Sequence, residues 1–457
     1  MKYLIGLLLL LLTNLSYANN YLDKNLKKFN WNGIEVVWLE DSSFPTYNLT
    51  VYFSGGAIDE SKNKIGITEL MFNEMTSGTT RYSKKEILDV LEFYGTSFGA
   101  SVTHEYSTFS LAGLVKDLEP SLKMVCHIFK NATYPVKEIK KTIKRAETGL
   151  KNIVNNHGGL ASRVFREVSL QGTAYSSPVT GKLRTLKRIR AKDLHARLKH
   201  FNKKVKKRIY IKAPAGIAGV EKIISNDCGW SDNSKLTKPS LAKTKESTKD
   251  KNTIFFVPVP KANQAQIRIG TYLSSEQTKR DFTKNELASR YMGGGFTSVL
   301  MQELRVKRGL TYSAGAYASA QQMYGRTGIN TFTKNETIVQ TLNVIKEVIE
   351  RESKEIPKAN FSHLKRFLKG SYLLGLESST AFLKNLLFFD HIGRPYGDIY
   401  KFPSEVDAVS LSEAQNKIKE LYDWNKQTKL VLGNKKLIPV LKKAGFKVKV
   451  LDYKKYL

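Results

Sequence analysis

Cysteine is scarce in this chain of 457 residues, which contains only Cys126 and Cys228. Two cysteines are too few for a disulfide framework, and neither belongs to a closely spaced metal-binding pair. A single bridge between them is possible but is not predicted. The fold must therefore depend on its core, for which 41% hydrophobic and 11% aromatic residues are sufficient.

Apolar runs long enough to cross a bilayer are also absent. Residues 4–12 are almost wholly apolar, follow a short basic start and precede small residues at Ser16 and Ala18, as in a cleavage site. This pattern is typical of a secretory signal peptide over residues 1–18. We expect a mature chain that begins near Asn19, is exported to the periplasm and does not span the membrane. The alternative is an uncleaved N-terminal anchor.

Acidic residues are in deficit, with 41 Asp and Glu against 74 Lys and Arg, so the net charge is +33. Such a balance favours anionic partners. However, the basic residues are mostly lysines spread along the chain, and no zinc finger, helix-turn-helix or RNA-binding aromatic pattern accompanies them. We therefore expect no nucleic-acid partner. The charge is interpreted as a solvated lysine-rich surface, or as a means of attracting acidic peptides.

One polar segment divides the chain. Residues 234–252, SKLTKPSLAKTKESTKDKN, are rich in Lys, Ser and Thr and lack apolar periodicity. We interpret this segment as a linker between an N-terminal domain, residues 19–233, and a C-terminal domain, residues 253–457.

The two predicted domains repeat one order of elements. Each has an alternating strand, a helix, an aromatic and glycine-rich strand and a long amphipathic helix. This repeat predicts an α+β fold of two duplicated domains, each an antiparallel sheet layered with helices. Locally, Ser83 and Glu86 form a capping-box pattern that should begin a helix, and Gly95 should end that helix.

The segment GITELMFNEMTSGT, residues 66–79, resembles the zinc helix of the insulinase-like (pitrilysin) zinc metallopeptidase family. The resemblance implies a mitochondrial-processing-peptidase-like fold. In catalytic members this helix carries H-x-x-E-H, in which two histidines bind zinc and the glutamate between them activates the metal-bound water. A further glutamate downstream completes the ligand set.

These positions carry over one by one, because the glycines of the segment fix the register. The first ligand position is Glu69, the base position is Phe72, the second ligand position is Asn73 and the downstream ligand position is Asn152, so none keeps the family residue. Glu74 is five residues from Glu69, about 140° around a helix, and no two histidines are four residues apart. We expect no metal on this chain. The plain alternatives are an exposed helix face for Glu69 and Asn73 and core packing for Phe72.

The segment MGGGFTSVLMQELRVKRGLTYSAGAY, residues 292–317, resembles the C-terminal half of the same family. The resemblance implies that Arg305 and Tyr312 bind the backbone of a peptide substrate and point across a chamber toward the zinc of the opposite half. Arginine supplies a fork of donors, and tyrosine supplies one directional hydroxyl. The alternatives are that Arg305 forms a surface ion pair with Glu303 or another acid and that Tyr312 lies in the core.

The resemblance also implies a peptide-binding sheet edge at SFGASVTHEYSTFSL, residues 97–111, where a substrate would add as a strand. A covered, inert edge is the alternative.

The family includes chains of this size that work as two-chain peptidases, in which one chain carries zinc and the other keeps only the Arg/Tyr pair. The resemblance therefore implies a non-catalytic subunit that forms a heterodimer with a zinc-bearing homologue and positions the peptide substrate. One alternative is a stand-alone scaffold that binds peptides or an envelope polymer. Another is an active metallopeptidase with a non-standard site built from Glu69 and Glu74.

Overall fold

The computed structural model describes residues 24–215, 217, 219–231 and 252–457. The predicted signal peptide and nearly all of the predicted linker lie outside the described residues. Within the described ranges, no helix combines the length and the apolar character that a membrane span requires.

The elements follow one another in chain order. The strands are β1 Leu26–Trp31, β2 Ile34–Glu40, β3 Thr46–Phe53, β4 Ser97–Val102, β5 Ser107–Leu114, β6 Lys207–Ala213, β7 Thr253–Pro258, β8 Gln264–Gly270, β9 Tyr272–Ser274, β10 Ala314–Ala320, β11 Tyr324–Lys334, β12 Thr428–Gly433 and β13 Lys447–Val450. The α-helices are α1 Ile67–Glu74, α2 Lys84–Phe93, α3 Leu118–Asn131, α4 Val136–Asn152, α5 His157–Ser169, α6 Leu183–Leu186, α7 Ala191–Lys204, α8 Val220–Lys222, α9 Ser275–Arg280, α10 Phe282–Gly293, α11 Val299–Met301, α12 Ile338–Glu352, α13 Lys358–Leu374, α14 Ser379–Ile392, α15 Asp398–Ala408, α16 Leu411–Tyr422 and α17 Leu437–Lys443.

These elements form two compact units, and each unit contains one sheet. The first unit comprises the described parts of Met1–Lys144, Val179–Pro239 and Leu376–Leu387, and the second comprises those of Arg145–Pro178, Ser240–Gly375 and Phe388–Leu457. The first sheet has the order β1-β2-β6-β3-β5-β4, and the second has the order β10-β11-β8-β12-β7-β13, with β9 paired to β11.

The two sheets repeat one five-stranded pattern. The order β2-β6-β3-β5-β4 in the first corresponds to β7-β12-β8-β11-β10 in the second. In both, the first pair is parallel and the other three are antiparallel. The predicted duplicated α+β fold is confirmed, with the refinement that each sheet holds a parallel pair. In each case the two paired strands are far apart in sequence, as a parallel pair requires, because such strands cannot be joined by a short hairpin.

The first unit has an aromatic core tied by a disulfide. Five buried rings pack with centroids 5.0–6.0 Å apart, and this aromatic cluster consists of Phe53, Phe72, Phe129, Phe201 and Trp230. A disulfide joins Cys126 of α3 to Cys228, which lies 102 residues further along the chain. The two cysteines are close in sequence to Phe129 and Trp230 of this cluster. The sequence had left this bridge open, and the structure contains it.

In the second unit, α5 packs on the sheet. Its apolar face joins one core cluster with residues of β7 and β12, and the cluster includes Leu160, Val164, Phe165, Val257, Leu430 and Leu432. The segment Arg145–Pro178, which lies before the predicted linker in sequence, therefore belongs to the compact unit that contains the second sheet. The boundaries 19–233, 234–252 and 253–457 stay a prediction.

Candidate functional site

Helix α1 lies where the sequence places the former zinc helix, and its start is firmly fixed. Gly66 precedes it with φ of 95°, and a methyl group there would lie 2.6 Å from the Cα atom of Gly181, so only glycine fits. The Glu60 carboxylate accepts hydrogen bonds from the backbone N–H groups of Gly66 and Thr68 at 2.6 and 2.9 Å. Burial raises the pKa of Glu60 despite these bonds. The frame of the helix is thus intact.

The two positions that correspond to zinc ligands face each other across one turn. The Asn73 side-chain amide donates to Oε1 of Glu69 at 3.4 Å. Burial raises the pKa of Glu69, and the hydrogen bond from Asn73 partly offsets this rise. An amide and a single half-buried carboxylate do not reproduce two imidazoles, so this pair does not fit a zinc ion.

The position that corresponds to the general base is occupied by a buried aromatic side chain. Phe72 is only 4% exposed, and its ring centroid lies 5.4 Å from that of Phe201 and 6.0 Å from that of Phe53. A phenyl ring accepts no proton and cannot activate water. At this position α1 contributes a side chain to the aromatic cluster.

Other nearby side chains do not supply the missing zinc ligands. Glu74 is buried, and it accepts a hydrogen bond from the Ser77 hydroxyl at 2.8 Å. Asn152 is the exposed last residue of α4, in a segment that belongs to the second unit. Across the part of the chain that the structure describes, no group of three or more His, Cys, Asp or Glu residues is arranged to hold a metal.

The glycine-rich segment of the second unit begins at the end of α10. A methyl group at Gly293 would lie 1.9 Å from the backbone nitrogen of Ala316 in β10, so this close contact requires glycine. The chain then passes Phe296 and re-enters helix at α11, which continues as a π-helix, Gln302–Val306. This π-helix carries Arg305.

Arg305 lies over two aromatic rings. Its guanidinium carbon is 4.4 Å from the ring centroid of Tyr312 and 4.5 Å from that of Phe296. The rings are 72% and 63% exposed, respectively, so Tyr312 is not a core residue. The structure thus brings together the two residues paired by the sequence. It adds Phe296, which the sequence analysis missed although an aromatic residue directly after three glycines was a visible signal.

Glu303, the alternative partner of Arg305, is engaged elsewhere. Its carboxylate pairs with Lys307 at 2.8 Å, with Arg351 at 3.1 Å and with Arg308. Burial alone would raise the pKa of Glu303, but hydrogen bonds from Lys307 and Arg308 and the charge of Arg351 bring the value down to about 2. Among the described residues, no carboxylate is paired with Arg305.

A cavity of about 600 Å³ borders the same segment. Within its lining, the Tyr291 hydroxyl donates to Oε2 of Glu352 at 2.6 Å, and Arg351 bridges Glu352 and Glu303. Burial and the adjacent Glu352 raise the pKa of Tyr291. This network ties α10, α12 and the π-helix together, and it thereby holds the backbone that carries Arg305.

Strand β4 occupies the place of the predicted peptide-binding edge. It is the last strand of the first sheet, pairs with β5 alone among the described strands and is largely exposed. Its outer backbone groups have the geometry that strand addition uses. Peptide binding at this edge stays a prediction.

Two family models match the chain. The model described as Insulinase (Peptidase family M16) matches residues 35–181, which include α1. The model described as Peptidase M16 inactive domain matches residues 219–368, which include Arg305 and Tyr312.

Similar proteins match over nearly the whole length. The chain is 22% identical over 412 residues to Non-peptidase homolog YmxG of Helicobacter pylori, covering 88% of this chain and 92% of that protein. It is 22% identical over 407 residues to Uncharacterized zinc protease YmxG of Bacillus subtilis, with coverage of 86% and 94%. A crystal structure of a peptidase M16 inactive domain from Pseudomonas fluorescens matches with a TM-score of 0.79 at 20% identity, covering 90% of this chain and 98% of that one. The structural likeness shows a shared fold.

Proposed function

The chain is a non-catalytic member of the insulinase (M16) peptidase family, and from this premise we propose that it is the substrate-positioning subunit of a two-chain zinc peptidase. A zinc-bearing homologue hydrolyses the peptide, and this chain holds the peptide through Arg305 and Tyr312. The two chains form a heterodimer in the periplasm.

The contact between Arg305 and Tyr312 carries this proposal. Tyr312 is exposed, Arg305 beside it is half-buried, and the nearest acid in sequence, Glu303, is already bound by three cations. The Arg305 donors can therefore serve an external acceptor such as a peptide carbonyl. A pair placed in this way positions a substrate without performing chemistry on it.

The state of α1 supports a second chain as the source of hydrolysis. Phe72 stands where a general base is needed, and Glu69 is hydrogen-bonded to Asn73. The non-standard site built from Glu69 and Glu74 has little support, because Glu74 is buried and bonded to Ser77. Zinc would be held by the homologue.

Two observations support a periplasmic location. The bridge between Cys126 and Cys228 is of a kind that persists in oxidising compartments. The N-terminal 18 residues have the pattern of a signal peptide. In that compartment the net charge of +33 would attract acidic peptides.

The test is to purify the mature chain alone and together with an H-x-x-E-H homologue from the same genome. We expect zinc and peptide cleavage only when the homologue is present, and a stable complex of the two chains. Zinc-dependent cleavage by this chain alone would contradict the proposal.

A stand-alone binding scaffold is the second candidate, and the exposed edge of β4 favours it. An extended peptide could add to that edge without being cut. Peptide binding by the chain alone, with no complex and no stimulation of any homologue, would favour the scaffold.

A further inference from the structure

Phe296 has no role in the resemblance, yet its placement is specific. It is a large apolar side chain left 63% exposed, and its ring lies beneath the guanidinium of Arg305 at 4.5 Å. Tyr312 provides a second exposed ring at 4.4 Å. A cation over two exposed rings combines charge and apolar surface at one point.

Hydrogen bonds hold the backbone that carries Phe296 and Arg305. The Gln302 side-chain amide donates to the carbonyl of Phe296 at 2.9 Å, and the Ser298 hydroxyl donates to the carbonyl of Gly295 at 2.6 Å. On the other side, Gly309 has φ of 60°, and its N–H donates to the carbonyl of Arg305 at 3.0 Å. The rings therefore restrain Arg305 before any ligand arrives, which reduces the entropy lost on binding.

The donors of Arg305 have no competing carboxylate within the described chain, because the nearby Glu303 is neutralised by Lys307, Arg308 and Arg351. A carboxylate is the ligand that best suits such a cation, since its two oxygens match the guanidinium fork.

We propose that Phe296, Arg305 and Tyr312 form a carboxylate clamp that selects peptides with an acidic group, and that Phe296 is the positioning residue for Arg305 within it. The acidic group is an Asp or Glu side chain or the C-terminal carboxylate of the peptide. The clamp rests on the proposed function and specifies the class of peptide that the subunit holds.

The test uses the full mature chain and three labelled peptides of otherwise identical sequence. One has an internal Glu and an amidated C-terminus, one has Gln and a free C-terminus, and one has Gln and an amidated C-terminus. Fluorescence anisotropy should show at least one acidic peptide binding about 10- to 100-fold more tightly than the neutral one, as expected for charge-assisted hydrogen bonds. The peptide that gains identifies the source of the carboxylate.

Variants separate positioning from folding. Phe296→Ala should reduce the ratio of acidic to neutral affinity by about 2- to 5-fold, the scale of one exposed cation–π contact, while affinity for the neutral peptide is retained. Phe296→Tyr should keep the ratio. Phe93→Ala, which removes an 82% exposed ring from the first unit, is the matched control and should leave the ratio unchanged.

Equal affinity for all three peptides, or no measurable binding of any of them, would overturn the clamp. An unchanged ratio in Phe296→Ala would remove the role of that residue. These outcomes are distinct from failure of the proposed function. If Arg305→Ala slows cleavage by the two-chain complex but wild type shows no acidic preference, the positioning role stands and the clamp falls. If the acidic preference is present and is reduced in Phe296→Ala but no homologue forms an active complex, the clamp stands and the two-chain peptidase falls.

Discussion

Arg305 and Tyr312 are seven residues apart in the chain, yet the guanidinium carbon of one lies 4.4 Å from the ring centroid of the other. Between them, after the π-helix ends, Gly309 has a left-handed conformation and donates its N–H to the carbonyl of Arg305. Because the contact uses the face of the ring, it places a cation and a phenol side by side at the surface. The two groups can then act on one ligand.

Replacing Arg305 tests this arrangement in the two-chain complex. Arg305→Lys keeps the charge but loses the fork of donors, so we expect kcat/KM to fall about 10-fold, and Arg305→Ala to lower it further. The free energy of unfolding should fall by no more than about 1–2 kcal/mol, the scale of two exposed cation–π contacts. Steady-state kinetics and urea unfolding measure the two quantities. Arg184→Ala, at an exposed arginine of the first unit, is the control, and wild-type kinetics in Arg305→Ala would remove the role.

Replacing Phe72 tests whether α1 is now a packing element. Phe72→Glu restores the residue type of a general base, but it places a carboxylate among Phe53 and Phe201. We expect a loss of at least about 3 kcal/mol in the free energy of unfolding, from lost packing and an unpaired charge. Phe72→Leu should cost less than about 1.5 kcal/mol. Urea denaturation measures both, and a Phe72→Glu variant as stable as wild type would show that the aromatic cluster does not depend on this ring.

Removing the disulfide should destabilise the first unit. The bridge closes a loop between positions 102 residues apart, so a Cys126→Ala/Cys228→Ala variant should lose about 2–4 kcal/mol of unfolding free energy. Thiol titration of the unfolded wild-type chain should detect no free thiol before reduction. Cys126→Ala alone should be about as unstable as the double variant. Identical urea midpoints with and without a reducing agent would contradict the bridge.

The acid stability of the second unit should depend on Glu303. The pKa of its carboxyl falls from the usual 4.5 to about 2 in the folded chain. A carboxyl whose pKa is lower in the folded state stabilises the protein above pH 4.5, and this contribution is lost as the pH falls from 4.5 toward 2. The shift corresponds to a contribution of about 3 kcal/mol at neutral pH.

Glu303→Gln should therefore be destabilised at pH 7 and should lose less stability than wild type on acidification. Urea unfolding at a series of pH values between 7 and 3 compares the two chains. Glu350→Gln, at an exposed position of α12, should follow the wild-type curve. If Glu303→Gln also follows the wild-type curve, the ion pairs of Glu303 with its three cationic neighbours do not stabilise the fold.

Local and repeated features could be predicted from the sequence. The capping box of Ser83 and Glu86 forms as expected, and Gly95 follows α2 in a left-handed conformation. The duplicated order of strands was visible because alternation and helical periodicity are properties of short segments. The pairing of Arg305 with Tyr312 came from the family resemblance, and their role in binding stays a prediction.

Features that depend on distant parts of the chain could not be predicted. The partners of Phe72 are far from it in sequence, and so are Cys126 and Cys228 from each other. The apolar face of α5 indicates that the helix packs against other elements, but it does not indicate which sheet the helix contacts. Phe296 was visible in the sequence, but its contact with Arg305, nine residues away, is not encoded by a spacing rule.

The packing of α5 has a consequence for synthesis. The helix leaves the ribosome with Leu160, Val164 and Phe165, while β12, which supplies Leu430 and Leu432 to the same cluster, is completed only at Gly433. At translation rates of 5–20 residues per second, roughly 10 to 50 s pass between the synthesis of α5 and the synthesis of β12. A fragment that ends within residues 234–252 would contain α5 but neither β7 nor β12, so the apolar face of α5 would lack these partners.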